Sequence, residues 1–85
     1  MLITPYWFGQ RQCQAAPAGD NCYRITGPNL PERFLGIRLA GNGKFEAYLR
    51  QQQDGHNLAV TGPDFDTTYN AWEAAFELYR ANVIL

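Results

Sequence analysis

Residues 34–50 read FLGIRLAGNGKFEAYLR, and this stretch decides the fold. Apolar side chains alternate with polar or small ones on both sides of the Gly-Asn-Gly turn at residues 41–43. The apolar positions that share one side are Leu35, Ile37, Leu39, Phe45, Ala47 and Leu49. Because alternation with period two around a glycine turn is typical of a half-buried β-hairpin, we predict two antiparallel strands here.

The segments around this hairpin predict further strands and an irregular beginning. Residues 57–61, NLAVT, offer a third strand, so residues 34–61 form a predicted β-meander, and residues 22–26, CYRIT, are a further short strand candidate. Pro5 restricts residues 2–8 to an edge strand or an irregular extended segment, and residues 9–21 have the composition of a loop. We therefore predict that residues 1–33 are extended and loop-rich.

The end of the chain changes to a helical period. Over residues 66–83, apolar side chains recur at steps of three and four, while polar ones occupy the opposite side. The apolar stripe consists of Trp72, Ala75, Phe76, Tyr79 and Val83. Asp66, or Thr67 or Thr68 instead, is suited to cap the first turn. The predicted fold is α+β: a three- to four-stranded antiparallel sheet packed on one C-terminal amphipathic α-helix.

Size and composition limit the classes of protein. Eighty-five residues predict a single domain, and no apolar run approaches the length of about 20 residues that a bilayer crossing needs. The N-terminus lacks the basic and apolar parts of a secretory signal, so we expect a cytoplasmic protein with no membrane partner. Cys13 and Cys22 either form a disulfide in an oxidising compartment or, as we expect here, stay free thiols. With His56 as the only histidine, no metal site is expected.

The charges are unevenly distributed along the chain. The formal net charge is -1, but residues 33–50 hold four cations against one carboxylate, and residues 51–85 hold five carboxylates against one arginine. The outward positions of the hairpin carry Arg38, Lys44, Tyr48 and Arg50, and Arg33 lies just before it. Because arginine can pair with guanine and lysine with phosphate, this sheet face is a candidate for binding duplex nucleic acid.

Several short motifs support the same interpretation through a resemblance. They are Gly36-Ile37-Arg38, Gly43-Lys44-Phe45 with Arg50, Phe65-Asp66-Thr67, and the alanines Ala71, Ala74 and Ala75. Together, over residues 34–80, they resemble the ethylene-response-factor type of DNA-binding domain, which also occurs in mobile-element proteins of bacteria and phages. The resemblance implies a three-stranded sheet on one helix, with Arg38, Lys44 and Arg50 contacting DNA from the exposed sheet face.

A protein-binding function is the alternative. Tyr6, Trp7 and Phe8 follow one another, and all three cannot face inward from one strand, so at least one is expected on the surface or against another subunit. Together with the acidic helix face of Glu73 and Glu77, Tyr6 and Trp7 are candidates for docking on a host protein, as in an adaptor or a phage or mobile-element inhibitor. In either case we expect a non-enzymatic binding module without a cofactor, for which a homodimer is possible.

Overall fold

The computed structural model describes residues 2–85 and has one antiparallel sheet with a helix packed on one face. Five strands follow one another in the order β1-β2-β3-β4-β5, so the α+β fold is confirmed with more strands than predicted. The elements are α1 (Tyr6–Gln10), β1 (Gln14–Pro17), β2 (Cys22–Thr26), β3 (Arg33–Leu39), β4 (Phe45–Arg50), β5 (Asn57–Val60) and α2 (Thr68–Tyr79), which continues as a π-helical turn over Arg80–Ile84.

The predicted hairpin forms strands β3 and β4. Gly36 pairs with Tyr48 and Arg38 with Glu46, in the register that the alternation requires. The turn between the strands is closed by two backbone hydrogen bonds and by the Asn42 side chain, whose Oδ1 accepts from the amide of Lys44 at 3.0 Å. Gly43 has a φ of 82°, which an L-residue with a side chain rarely adopts, so the glycine is required there.

The core lies between the inner face of the sheet and helix α2. Ile25, Leu35, Ile37, Ala47 and Leu49 are buried on the sheet side. The helix contributes Ala71, Ala75, Phe76 and Tyr79. Ala71 and Ala75 are fully buried, and their small side chains allow α2 to lie close to the sheet. Helix α2 begins after Thr67, whose Oγ1 accepts from the amide of Asn70 at 3.1 Å.

The beginning of the chain differs from the prediction, because residues 6–10 are a short helix and not an extended segment. In a strand, Trp7 and Phe8 would point to opposite faces, whereas one helical turn directs both toward the core. Phe8 packs edge-to-face on Phe76, and Trp7 stacks on Tyr79 with ring centroids 6.4 Å apart. The helix ends in a Schellman-type motif: Gln12 has a φ of 57°, and the amide of Cys13 donates to the carbonyl of Phe8 at 3.0 Å.

The predicted loop over residues 9–21 contains strand β1. Ala15 lies opposite Ile25 and Pro17 opposite Tyr23, in an antiparallel pair with β2. Alanine and proline have low strand propensity, and the missing N–H group of Pro17 is tolerated because β1 is at the edge of the sheet. Within residues 2–85, no helix has the length and apolar character that crossing a membrane requires.

Candidate functional site

The outer face of the sheet, opposite α2, is organised around Tyr48. A Cβ atom on Gly36 would overlap the Cζ and hydroxyl of the Tyr48 ring, and the guanidinium carbon of Arg50 lies over the ring at 4.2 Å from its centroid. Tyr48 is therefore only 7% exposed, although it points away from the main core. Burial, and then the neighbouring Cys22 thiol, raises the pKa of Tyr48 to about 12. Because the side chain is almost buried and Arg50 lies over its ring, little of Tyr48 is available to stack on a nucleic-acid base.

The predicted nucleic-acid residues are only partly brought together. Arg38 and Arg50 share the outer face with Tyr48, but Arg38 forms an ion pair with Glu46. Lys44, at the end of that face, is 3.5 Å from a carboxylate oxygen of Asp66. Arg50 donates to Asn57 Oδ1 at 2.7 Å and to the Gln53 carbonyl at 3.2 Å, so its side chain is held by the β4–β5 connection.

Arg33 does not share this face. It pairs in register with Ile25, a core residue, so its side chain begins on the helix-facing side of the sheet. The outer face has instead a cation that is not among the predicted residues, Arg24, whose guanidinium nitrogen is 3.7 Å from a carboxylate oxygen of Glu32. Arg24 could have been identified from the register, because it lies in the same cross-strand row as Phe34 and Arg50.

A groove of about 560 Å³ lies on the other side of the molecule, between the N-terminal segment Leu2–Pro5 and helix α2. We call it the α2 groove. The turn between β1 and β2 closes one end through Gly19 and Asn21. Other lining residues are Tyr23, Thr68, Tyr69, Trp72, Glu73, Phe76 and Glu77.

Aromatic rings form the floor of the α2 groove. Tyr23 meets Trp72 edge-to-face with centroids 5.5 Å apart, and Trp72 is followed by Phe76 at 6.2 Å. Large apolar side chains also stand exposed on its rim, since Ile3 is 69% and Tyr69 58% exposed. The sequence signal for this surface was the spacing of Tyr69, Trp72 and Phe76, which extends the apolar stripe of the helix beyond the part that the sheet covers.

Carboxylates line the other side of the α2 groove. Glu73 and Glu77 lie between it and a shallower depression that contains Asp64, Asp66 and Asn70. Asp66 faces Lys44, and Glu77 is 3.9 Å from Arg80. Within residues 2–85, Asp64 and Glu73 have no cationic side chain in ion-pair distance. The helix face beside the groove is therefore negative.

The four predicted protein-binding residues fall into two places. Glu73 and Glu77 line the α2 groove, whereas Tyr6 and Trp7 do not. Tyr6 is 81% exposed on α1, so the expectation that at least one of the three consecutive aromatic residues lies on the surface is confirmed. Trp7 is partly covered by its stacking on Tyr79.

Neither cysteine is placed for chemistry with a partner base. Both are buried free thiols; Cys13 belongs to the core and follows α1, and Cys22 lies on the outer face next to Tyr48. Burial raises the pKa of the Cys13 thiol, which disfavours the reactive thiolate. In the part of the chain that the structure describes, no three His, Cys, Asp or Glu residues are grouped so that they could hold a metal ion.

Comparison with protein-family models, with curated proteins and with solved structures gives no match to this chain. The resemblance to the ethylene-response-factor type of domain therefore stays a prediction that depends on the short motifs alone. The candidate sites have to be judged by their own geometry.

Proposed function

We propose that this chain is a protein-binding module that holds a segment of a partner protein in the α2 groove. The observation that carries this proposal is an aromatic floor with exposed apolar side chains at its rim, beside a row of carboxylates. Aromatic side chains in a concave surface are the usual anchoring points of protein interfaces. Protein binding is the alternative function that was predicted from the sequence. The contact surface proposed here is the α2 groove and no longer includes Tyr6 and Trp7.

The dimensions of the α2 groove are consistent with a bound side chain or short segment. Its volume of about 560 Å³ lies within the usual range of ligand-binding clefts. Ile3 and Tyr69 stand on opposite sides of the opening, one on the N-terminal segment and one on α2. A bound segment would bury both, and burying exposed apolar surface is the main favourable contribution to protein association.

The test compares two exposed tyrosines, one on the rim of the α2 groove and one outside it. Purified protein carrying an affinity tag is used to capture partners from an extract, and Tyr69→Arg is compared with Tyr6→Arg. We expect Tyr69→Arg to abolish the capture of the partner, because a long charged side chain would then stand in the opening of the groove. Tyr6→Arg, outside the groove, is expected to retain it. Equal capture by both variants, each shown to be folded by circular dichroism, would contradict the proposal.

Binding of duplex nucleic acid is the second candidate function. What favours it is that Arg24, Arg38 and Arg50 share the uncovered outer face, and that Arg50 has no carboxylate partner within residues 2–85. Glu32 and Glu46 lie beside two of these arginines, which reduces the attraction for phosphate. We therefore expect a dissociation constant of order micromolar or weaker and a shallow dependence on salt.

Fluorescence anisotropy with a labelled duplex of mixed sequence at low salt measures this second function. Arg50→Ala is expected to weaken binding, while Arg80→Ala, on helix α2, is a control that leaves it unchanged. The absence of binding at low salt, or an equal effect of the two variants, would exclude the outer face as a nucleic-acid surface.

A further inference from the structure

We infer that the segment held in the α2 groove is cationic and has a large apolar side chain as its anchor. This inference rests on the proposed function and adds the chemistry of the partner. It follows from the two kinds of surface that meet at Trp72 and Glu73, which are consecutive in α2 and both line the groove.

The charge on the rim of the groove determines which sign of charge a partner segment needs. Glu73 and Glu77 line both the groove and the depression that holds Asp64 and Asp66, so two carboxylates lie at the groove and two more lie in the depression next to it. Lys44 and Arg80 offset two of them at 3.5 and 3.9 Å. The side remains negative, so a lysine or arginine of a partner gains an attractive contact there, while a phosphate or a carboxylate is repelled.

The floor of the groove selects the apolar anchor. Tyr23 and Trp72 line the concavity and keep part of their surface open to solvent, and the buried Phe76 packs beside Trp72. An aromatic or long aliphatic side chain can cover these rings, and it would place its neighbours in sequence next to Glu73 and Glu77. A single anchor flanked by basic residues is therefore the pattern that fits both surfaces.

Three short synthetic peptides separate these contributions: GKKWKKG, GEEWEEG and GKKAKKG, each with blocked ends. Binding to the 15N-labelled full chain is followed by amide chemical shifts. The basic tryptophan peptide is expected to move the amides of Ile3, Thr4 and the first half of α2, with a dissociation constant of order millimolar or tighter. The acidic peptide and the alanine peptide are expected to bind at least about tenfold more weakly.

Matched variants of the protein assign the charge effect to the rim. Glu73→Gln together with Glu77→Gln is expected to weaken binding of GKKWKKG about three- to tenfold, as the loss of exposed charge pairs implies. Glu32→Gln, which removes a carboxylate outside the groove, is expected to leave the affinity unchanged.

The outcomes distinguish failure of the inference from failure of the proposed function. Equal binding of GEEWEEG and GKKWKKG, or no shift of the groove amides with either, overturns the cationic anchor. If Tyr69→Arg nevertheless loses the captured partner, the groove is still the protein-binding surface. If Tyr69→Arg captures the partner as well as the unmodified chain does, the proposed function fails independently of the peptides.

Discussion

At the scale of single residues, the contact between Gly36 and Tyr48 fixes the outer face. Gly36 lies directly opposite Tyr48, and the tyrosine ring occupies the space that a side chain at residue 36 would need. Ring and glycine thus cover each other, as in other sheets where an aromatic residue shields a cross-strand glycine. Because Arg50 also lies over the ring, this part of the sheet is packed on its outer side as well.

Gly36→Ala tests this packing. The new Cβ would overlap the Tyr48 ring and come within 2.8 Å of the carbonyl oxygen of Asn21, which already accepts from the amide of Ile37. We expect the free energy of unfolding to fall by about 1–3 kcal/mol, measured by urea denaturation. The matched control is Gly41→Ala, because a Cβ at residue 41 meets no atom within 4 Å. A similar loss in both variants would show that the effect is not due to the Tyr48 ring.

The two buried tyrosines predict a loss of stability in alkali. Burial raises the pKa of Tyr48 and of Tyr79 from 10.0 to about 12 in the folded chain. Between pH 10 and 12 the unfolded chain therefore loses protons that the folded chain keeps. The free energy of unfolding consequently decreases as pH rises through this window, and the full contribution is present only below it.

Urea denaturation on either side of this window, with tyrosinate absorbance as a second signal, measures the effect. Tyr79→Phe removes one of the two groups, so its stability should depend less on pH. The hydroxyl of Tyr79 lies near the Cys13 thiol, a weak hydrogen-bonding group, and has no closer hydrogen-bond partner among residues 2–85, so its removal is expected to change stability near neutral pH only slightly. The same alkaline loss in Tyr79→Phe would show that Tyr79 does not contribute to it.

At the scale of elements, helix α2 is placed by one capping residue. Asp66, Thr67 and Thr68 all have suitable side chains, but the N-cap is Thr67, which has an extended backbone and accepts from the Asn70 amide. Asp66 instead faces Lys44 across the pairing of Phe45 with Phe65. The contact between Asp66 and Lys44 is tertiary and has no local signal in the sequence. It decides which of the three neighbouring residues caps the helix.

Replacing the capping residue measures this choice. Thr67→Ala is expected to destabilise the protein by about 1 kcal/mol, because one free amide of the first helical turn loses its acceptor. Thr68→Ala makes the same chemical change one residue later, within the helix, and is expected to stay within about 0.5 kcal/mol of the unmodified chain. Thermal or urea denaturation of the two variants distinguishes them, and a larger effect of Thr68→Ala would contradict the assignment.

The elements with a strong period were predictable, and those that depend on distant partners were not. Strands β3 and β4 and helix α2 follow from the alternation in residues 34–50 and from the spacing of Trp72, Phe76 and Tyr79. Helix α1 has only five residues, and strand β1 consists of Gln-Ala-Ala-Pro, so neither has a local preference strong enough to show in the sequence.

The same reason explains what could be predicted of the site. The outward positions of Arg38, Tyr48 and Arg50 follow from the strand period. The covering of Tyr48 and the ion pair of Lys44 depend on how separate segments meet. The α2 groove was not predicted because one of its walls is the N-terminal segment, and no sequence pattern places residues 2–5 against α2.

At the scale of the whole molecule, the two faces of the fold have opposite character. The outer face of the sheet has three arginines and no covering helix, since α1 and α2 both pack on the inner side. The helix side has the four carboxylates near the groove. Positive and negative side chains are therefore separated on two faces, although the net charge is only -1. A cationic partner is attracted to the helix side and repelled by the outer face of the sheet.

The last prediction is that the N-terminal third of the chain is part of the core. Both faces of the molecule depend on it. Phe8 is only 3% exposed and packs on Phe76 with ring centroids 5.3 Å apart, so α1 is attached to α2 through buried aromatic rings. Phe8→Ala is expected to lower the free energy of unfolding by about 3–5 kcal/mol, because it leaves a cavity between the helices. Tyr6→Ala, two residues earlier and exposed, is expected to change it by less than about 0.5 kcal/mol.

Urea denaturation measures both variants, and amide shifts of Ile3 and Thr4 report whether the wall of the α2 groove is kept. If α1 holds this wall in place, Phe8→Ala changes these shifts and weakens the binding of GKKWKKG, whereas Tyr6→Ala does neither. A folded Phe8→Ala protein with nearly unchanged stability would mean that residues 2–17 are only attached to a core that β2 to β5 and α2 complete by themselves. The groove would then lose the fixed wall that its selectivity requires.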